Sequence, residues 1–115
     1  MTGKEFYEKI GGDYDKMFAT LHSDEMIVKF AKMFLNDGSF NSLNAAMEKK
    51  DYEEAFKAAH ALKGVCLNMS YTKIGKFASE VTDDLRNGAN IEGAIEKLPK
   101  LTEYYGELID EINKL

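Results

Sequence analysis

Histidine and cysteine are the residue types of this chain best suited to nucleophilic or metal chemistry, and they are few. The sequence has two histidines, His22 and His60, and one cysteine, Cys66. This set lacks the spacing of a zinc site, so no metal is expected. Cys66 has no partner for an internal disulfide and lies in an apolar pattern, which favours a core residue over a redox sensor or nucleophile. His22 lies in a polar junction with Ser23 and Asp24, so it is expected to be plain surface.

His60 differs because it lies on a predicted helix but outside the face that this helix is expected to bury. At about 100° per residue, the helix predicted from Tyr52 to Asn68 gathers one set of residues on a core face, namely Tyr52, Ala55, Ala59, Leu62, Cys66 and, just beyond it, Met69. His60 falls about 130° from the centre of that face. A neutral imidazole near pH 7 offers one unprotonated nitrogen as a nucleophile, and a hydrogen bond on the other nitrogen selects which one.

The residues that share the side of His60 do not form an ordinary solvated face. Phe56 and Leu67 place apolar groups one turn before and two turns after the histidine. Gly64 lies in mid-helix, where glycine costs about 1 kcal/mol relative to alanine. A missing side chain beside an exposed imidazole lets the backbone of another protein come close. The alternative for Gly64 is tight packing between helices, which its position away from the core disfavours.

Two lysines lie near the imidazole, and cations there would stabilise a phosphorylated histidine, which carries about two negative charges. The alternative is that Lys57 and Lys63 pair with Glu53 or Glu54 on a wet surface. We favour pairing for Lys57, because Glu53 precedes it at the preferred i,i+4 spacing. For Lys63 we favour the functional role.

The residues around His60 resemble the H-x-x-K-G signature of histidine-containing phosphotransfer (HPt) domains, here Ala59-His60-Ala61-Leu62-Lys63-Gly64. The stretch from Asp51 to Ala59 resembles the acidic start of the phosphorylatable helix in that family. Asn68-Met69-Ser70 is similar to its Asn-Leu-Gly turn, and Leu85-Arg86 to the end of its next helix. Upstream, Phe30-x-x-x-Phe34-Leu35-x-Asp37 also fits. Three fixed positions are a weak motif alone, but they stand here in the right helix of an all-helical chain.

The resemblance implies a phosphocarrier in a two-component phosphorelay. His60 would accept a phosphoryl group from a receiver-domain aspartate and pass it to another receiver. Lys63 would stabilise the phosphate charge, and Gly64, Phe56, Lys57 and Leu67 would form the receiver docking surface. The implied partners are response-regulator receiver domains and a hybrid histidine kinase. No cofactor of the chain's own is expected, because the divalent metal would belong to the receiver.

Two positions depart from the family pattern. Ser70 stands where family members often have glycine, which alters the turn. Thr82 stands twenty-two residues after the histidine, where the family commonly has Gln or sometimes Glu to hold Nδ1 of the imidazole. Because Thr82 is shorter, the hydrogen bond that orients the imidazole would run through water, or go to Glu80 or Asp83 instead.

Helices are predicted from end to end of the chain, with boundaries marked by polar caps and glycines. The first helix follows the capping box Thr2-x-x-Glu5, and the second covers Asp13 to Leu21. The third runs from Ser23 to Asn36, and the fourth begins at Ser39. The fifth extends from Tyr52 to Asn68, the sixth opens at Ser70 or Thr72, and the last follows Asn90, with Pro99 either kinking or restarting it. Short connections make long neighbours antiparallel. We expect an all-α fold, an up-down antiparallel four-helix bundle with additional short N-terminal helices, in one domain over residues 1–115.

Composition limits the remaining possibilities. The net charge of −5 disfavours nucleic acid, which needs a basic face. No apolar run approaches the roughly 18 residues of a membrane span, and no apolar stretch follows Lys4, so no secretory signal is expected. We therefore expect a cytoplasmic protein that is monomeric and does not bind membranes.

Other functions fit the residues less well. A non-phosphorylated docking module of the same fold, binding receiver domains or histidine kinases, is the main alternative, and Thr82 favours it. An enzyme using His60 as general acid or base needs a second group and a cleft, which a convex helix surface does not offer. Without a glycine-rich loop or a Walker lysine, neither autophosphorylation nor any other autonomous catalytic activity is expected.

Overall fold

The computed structural model describes residues 1–115, and every regular element in it is a helix. Seven α-helices follow along the chain: α1 (Gly3–Ile10), α2 (Tyr14–Leu21), α3 (Asp24–Met33), α4 (Ser39–Glu48), α5 (Tyr52–Asn68), α6 (Thr72–Leu85) and α7 (Ile91–Ile112). Short 3-10 turns, Phe34–Asn36 and Arg86–Gly88, follow α3 and α6. The predicted all-α class is confirmed.

Local side-chain caps begin most of these helices where the sequence predicted them. Thr2 and Glu5 form the capping box of α1. Asp51 accepts a hydrogen bond from a backbone N–H in the first turn of α5, and Asn90 does the same for α7. Each cap satisfies a donor that the helix itself leaves free, so a few polar residues determine where the chain enters a helix.

One boundary differs from the prediction, and the structure decides two others that the sequence left open. The helix expected to reach Asn36 ends at Met33, and the tighter 3-10 turn that follows leaves Leu35 42% exposed. The sixth helix begins at Thr72, one of the two predicted starts, and has no side-chain cap. Pro99 lies inside a continuous α7 and does not restart it, because the helix packs against its neighbours on both sides of the proline.

The four later helices, α4 to α7, form the bundle. α5 packs along α4 and α6, and α6 packs along α7. The Lys97 ammonium, early in α7, donates to the Asp84 carboxylate, late in α6, at 2.6 Å, as antiparallel neighbours require. Phe40 of α4 stacks on Tyr105 of α7 with ring centroids 4.0 Å apart, which closes the bundle. The short helix α1 packs against α7 and α3 at one end.

One apolar core passes through all seven helices. Of the predicted core face of α5, Ala55, Ala59, Leu62 and Cys66 are fully buried. Tyr52 and Met69 are half-buried and pack against the core. This stripe holds α5 against the bundle and leaves its other side facing outward. None of the helices is both long and apolar enough to span a membrane.

Candidate functional site

The helix that carries His60 is held at both ends. At its start, the Asp51 carboxylate accepts a hydrogen bond from the backbone N–H of Glu54 at 3.2 Å. At its end, the buried Tyr7 hydroxyl of α1 donates to the carbonyl of Met69 at 2.7 Å. Because α5 is also anchored by its buried stripe, an outward side chain on it is presented from a fixed backbone.

His60 lies on the exposed side of α5, directly after the fully buried Ala59. Its imidazole stacks on the ring of Phe56, with ring centroids 6.1 Å apart and planes inclined by 26°. The hydrogen bonds of the structure include none to this imidazole. The ring is therefore accessible on a convex surface and contacts an aromatic neighbour instead of a polar one.

The two lysines beside His60 differ in their partners. The Lys57 ammonium donates to the Glu54 carboxylate at 3.2 Å, and this hydrogen bond raises the pKa of Lys57. The expected pairing of Lys57 therefore occurs, although with Glu54 in place of Glu53. Lys63 is half-buried and takes part in none of the ion pairs. Its charge is the one near His60 that no carboxylate neutralises.

Gly64 is exposed one turn beyond His60, and a Cβ atom built on it would meet nothing within 4 Å. Tight packing between helices, the alternative explanation for a mid-helix glycine, is therefore wrong for this residue. Leu67 lies further along the same side and is 47% exposed, resting partly over Gly75 of α6. The surface after His60 is thus open and partly apolar.

Thr82 does not reach His60 in the structure. Its side chain is fully buried, and its hydroxyl donates to the carbonyl of Ala78 at 2.7 Å. Of the two carboxylates considered as substitutes, Asp83 pairs with Arg86 at 3.6 Å, and Glu80 makes no side-chain hydrogen bond to the imidazole. None of the three polar residues considered for orienting the imidazole, namely Thr82, Glu80 and Asp83, forms a hydrogen bond to it.

Arg86 also belongs to this site, although the sequence does not predict it there. In the sequence it stands only in the Leu85-Arg86 pair that resembles the end of a family helix, but in the structure its guanidinium carbon lies 5.0 Å from the centroid of the Phe56 ring. Between the start of α5 and the end of α6 lies a groove of about 560 Å³, lined by Tyr52, Glu53, Phe56, Lys57, Leu85, Arg86, Asn87 and Gly88. The antiparallel pairing of α5 with α6 brings the start of α5 to the end of α6. This pairing is the feature that could have pointed to the contact.

The remaining residues of interest lie away from this face. Cys66 is buried, as expected, and burial raises the pKa of its thiol to about 12. His22 is exposed and forms the left-handed cap of α2, with φ of 57°. No three or more His, Cys, Asp and Glu side chains are grouped so as to hold a metal ion.

A comparison with protein-family models matches residues 33–114 to the Hpt domain. The matched range begins at the last residue of α3 and takes in all of α4 to α7, and so includes His60, Lys63 and Gly64. No curated protein and no solved structure matches the chain.

Proposed function

The chain belongs to the Hpt domain family, whose members carry phosphoryl groups in two-component signalling, and we propose that His60 is its phosphoacceptor. The group would come from the aspartyl phosphate of one receiver domain and go to the aspartate of another. The observation that carries the proposal is an exposed imidazole on a fixed helix, within the family's signature and beside the unpaired ammonium of Lys63.

The proposed step is an in-line displacement at phosphorus. The unprotonated Nε2 of His60 attacks the phosphorus of the receiver's acyl phosphate, the N–P bond forms, and the P–O bond to the carboxylate breaks. The carboxylate leaves with the bonding electron pair, and the proton stays on Nδ1. The reverse displacement delivers the group to a second receiver, so neither a nucleotide nor water is consumed.

Charge neutralisation on this chain falls to Lys63. Residues three apart on a helix are neighbours on its surface, so the ammonium can approach a phosphoryl group on His60. Lys57 already contacts Glu54, which leaves Lys63 the freer of the two cations. The acidic pocket and the divalent metal would be those of the receiver, because phosphoryl transfer depends on positioning and charge neutralisation that a convex helix supplies only in part.

The proposed docking surface surrounds the histidine on α5. Phe56 and Leu67 offer apolar contact, Lys57 offers charge at the rim, and Gly64 leaves room for the partner's backbone. Hpt domains work with receiver domains and histidine kinases, and as carriers of the group they act as intermediates rather than catalysts. The hybrid kinase, the monomeric state, the single domain over residues 1–115 and the cytoplasmic location stay predictions.

A second candidate is a docking module of the same fold that does not carry phosphate. It is favoured by one observation, that the hydroxyl of Thr82 is committed to the Ala78 carbonyl and makes no hydrogen bond to His60. Such a module would bind receivers through the same surface but leave their aspartyl phosphate untouched.

The experiment that separates the two uses a panel of receiver domains charged with acetyl phosphate. Transfer is measured to the wild type, to His60→Gln, and to His22→Gln, which removes the other histidine of the chain. We expect an acid-labile, base-stable label on the wild type and on His22→Gln, and none on His60→Gln. Tight binding of a receiver without any label would favour the docking module, and label persisting on His60→Gln would assign the acceptor to another residue.

A further inference from the structure

The imidazole of His60 contacts an aromatic ring where a hydrogen bond would be expected. A nucleophilic histidine must keep its ring in one orientation, because the attacking nitrogen has to lie in line with the bond that breaks. Thr82 cannot donate its hydroxyl proton to this ring, since that proton goes to Ala78 at 2.7 Å. Another contact must therefore limit the rotation of the His60 side chain.

Phe56 makes that contact. It precedes His60 by one helical turn, and the ring centroids are 6.1 Å apart with an inclination of 26°. This is an offset stack within the usual separation of interacting aromatic pairs. Because Phe56 is half-buried, its own ring is held more firmly than a freely exposed side chain would be.

Phe56 is in turn held from α6. The guanidinium carbon of Arg86 lies 5.0 Å from the centroid of its ring, within the range of a cation–π contact. A carboxylate oxygen of Asp83 lies 3.6 Å from a guanidinium nitrogen of Arg86. These contacts form a chain, Asp83 to Arg86 to Phe56 to His60, that connects the end of α6 to the imidazole.

We propose that Phe56, held by Arg86, is a positioning residue that keeps the imidazole of His60 in one rotamer for in-line attack. Phe56 carries no charge and exchanges no proton, so apart from its apolar contact with a receiver it contributes to the step by orienting the imidazole. The effect of Phe56 on phosphoryl transfer rests on the proposed function. The orientation of the His60 ring does not, because it is a property of the free protein.

The first test is the side-chain rotamer of His60, measured by NMR from three-bond couplings around χ1 in the unphosphorylated protein. We expect one dominant rotamer in the wild type, averaging in Phe56→Leu, and recovery of the dominant rotamer in Phe56→Tyr. Arg86→Gln leaves the ring of Phe56 in place and is expected to average the couplings partly. Phe18→Leu is the matched control, because Phe18 is 43% exposed and packs on Tyr14 one turn away.

The second test is the kinetics of transfer from a charged receiver. Positioning predicts that Phe56→Leu lowers the rate at saturating receiver by about threefold to tenfold. Because leucine keeps an apolar side chain for docking, the half-saturating concentration should stay within about twofold of the wild type. A wild-type rotamer in Phe56→Leu would overturn the inference. So would a loss expressed only in the half-saturating concentration, which would make Phe56 a docking contact without a role in positioning. If no receiver labels the wild type, the proposed function fails, while the couplings still decide whether Phe56 positions the ring.

Discussion

At the scale of single residues, the missing side chain at Gly64 is what opens the surface around His60. Gly64 has no side chain, and nothing within 4 Å of its missing Cβ explains that absence. A mid-helix glycine lowers helix stability by about 1 kcal/mol relative to alanine. Since no internal contact offsets this cost, room for a partner is the physical reason we assign to the glycine.

Substituting Gly64→Ala is therefore expected to stabilise the protein and slow transfer. The free energy of unfolding should rise by about 0.5–1 kcal/mol, while the added methyl group hinders approach of the receiver. Gly106→Ala in α7 is the matched control, because Gly106 is also exposed with nothing within 4 Å. Denaturant unfolding and transfer assays on both variants check this. Equal transfer by Gly64→Ala and the wild type would contradict the role of clearance.

Lys63→Gln is expected to weaken the phosphorylated state. Lys63 is half-buried, so solvent still screens its charge in part. We expect the transfer equilibrium to move toward the receiver by about twofold to fivefold, less at high salt. The equilibrium ratio of phosphorylated carrier to phosphorylated receiver is the measurement. Lys32→Gln, on the exposed side of α3 and in none of the ion pairs, is the control. No change in the ratio at low salt would remove Lys63 from the site.

The position of His60 on the outer side of α5 could be predicted from the sequence, because helical periodicity is local and the buried stripe is clear. The contact between Arg86 and Phe56 could not, because it depends on how far α6 extends past the start of α5. The orientation of the Thr82 side chain could not be predicted from the sequence either. A threonine in a buried stretch can donate to the carbonyl four residues back or to a neighbouring helix, and only the packing decides.

At the scale of elements, the turn between α5 and α6 is one of four turns in which a residue other than glycine has a left-handed backbone. Ser70 has φ of 56°, in the left-handed region that favours glycine, and its carbonyl accepts a hydrogen bond from the N–H of Asp13 at 2.9 Å. The tertiary hydrogen bond keeps the turn in place at some cost in backbone energy. The turn fixes where α5 ends, and so contributes to holding the helix that presents His60.

Ser70→Gly should raise the free energy of unfolding by about 0.5–1 kcal/mol. This is a net gain, because glycine relieves the left-handed backbone strain but also gives the unfolded chain more conformational entropy. Ser70→Ala has the same conflict as serine and should bring no gain. Thermal or denaturant unfolding of both variants makes the comparison. If alanine stabilised the protein as much as glycine, backbone strain would not be the cause.

The helix starts were predictable where a polar side chain caps the first turn, as at Thr2, Asp51 and Asn90. The end of α3 was not, because no glycine or proline stands at Met33, and the switch to a 3-10 turn brings Phe34 into the core. Continuity through Pro99 also depends on tertiary packing, which outweighs the lost hydrogen bond.

At the scale of the whole molecule, the core contains groups that must stay neutral. Burial raises the pKa of Cys66 from 9.0 to about 12. Burial also raises the pKa values of Tyr7 and Tyr71, which lie next to one another in the core. In the unfolded chain these groups lose their protons at lower pH than in the folded one. Stability that is complete below pH 9 is therefore lost as the pH rises above it.

The unfolding midpoint should be constant from pH 7 to about 8.5 and fall between about pH 9 and 11. Each buried group that ionises only on unfolding contributes about 1.4 kcal/mol per pH unit to the slope. Cys66→Ala lowers stability at every pH, because it leaves a cavity, but it should make the alkaline slope shallower. An alkaline slope unchanged by Cys66→Ala would show that the thiol does not contribute.

Phosphorylation of His60 is tested directly by finding which nitrogen atom carries the phosphoryl group. We would label the imidazoles with ¹⁵N, phosphorylate the protein from a charged receiver, and record the ring-nitrogen resonances and their couplings to ³¹P. We predict a coupling at Nε2 of His60 and an unchanged spectrum for His22. A coupling at His22, or a protein whose label is stable in acid and lost in base with both imidazoles unchanged, would contradict it.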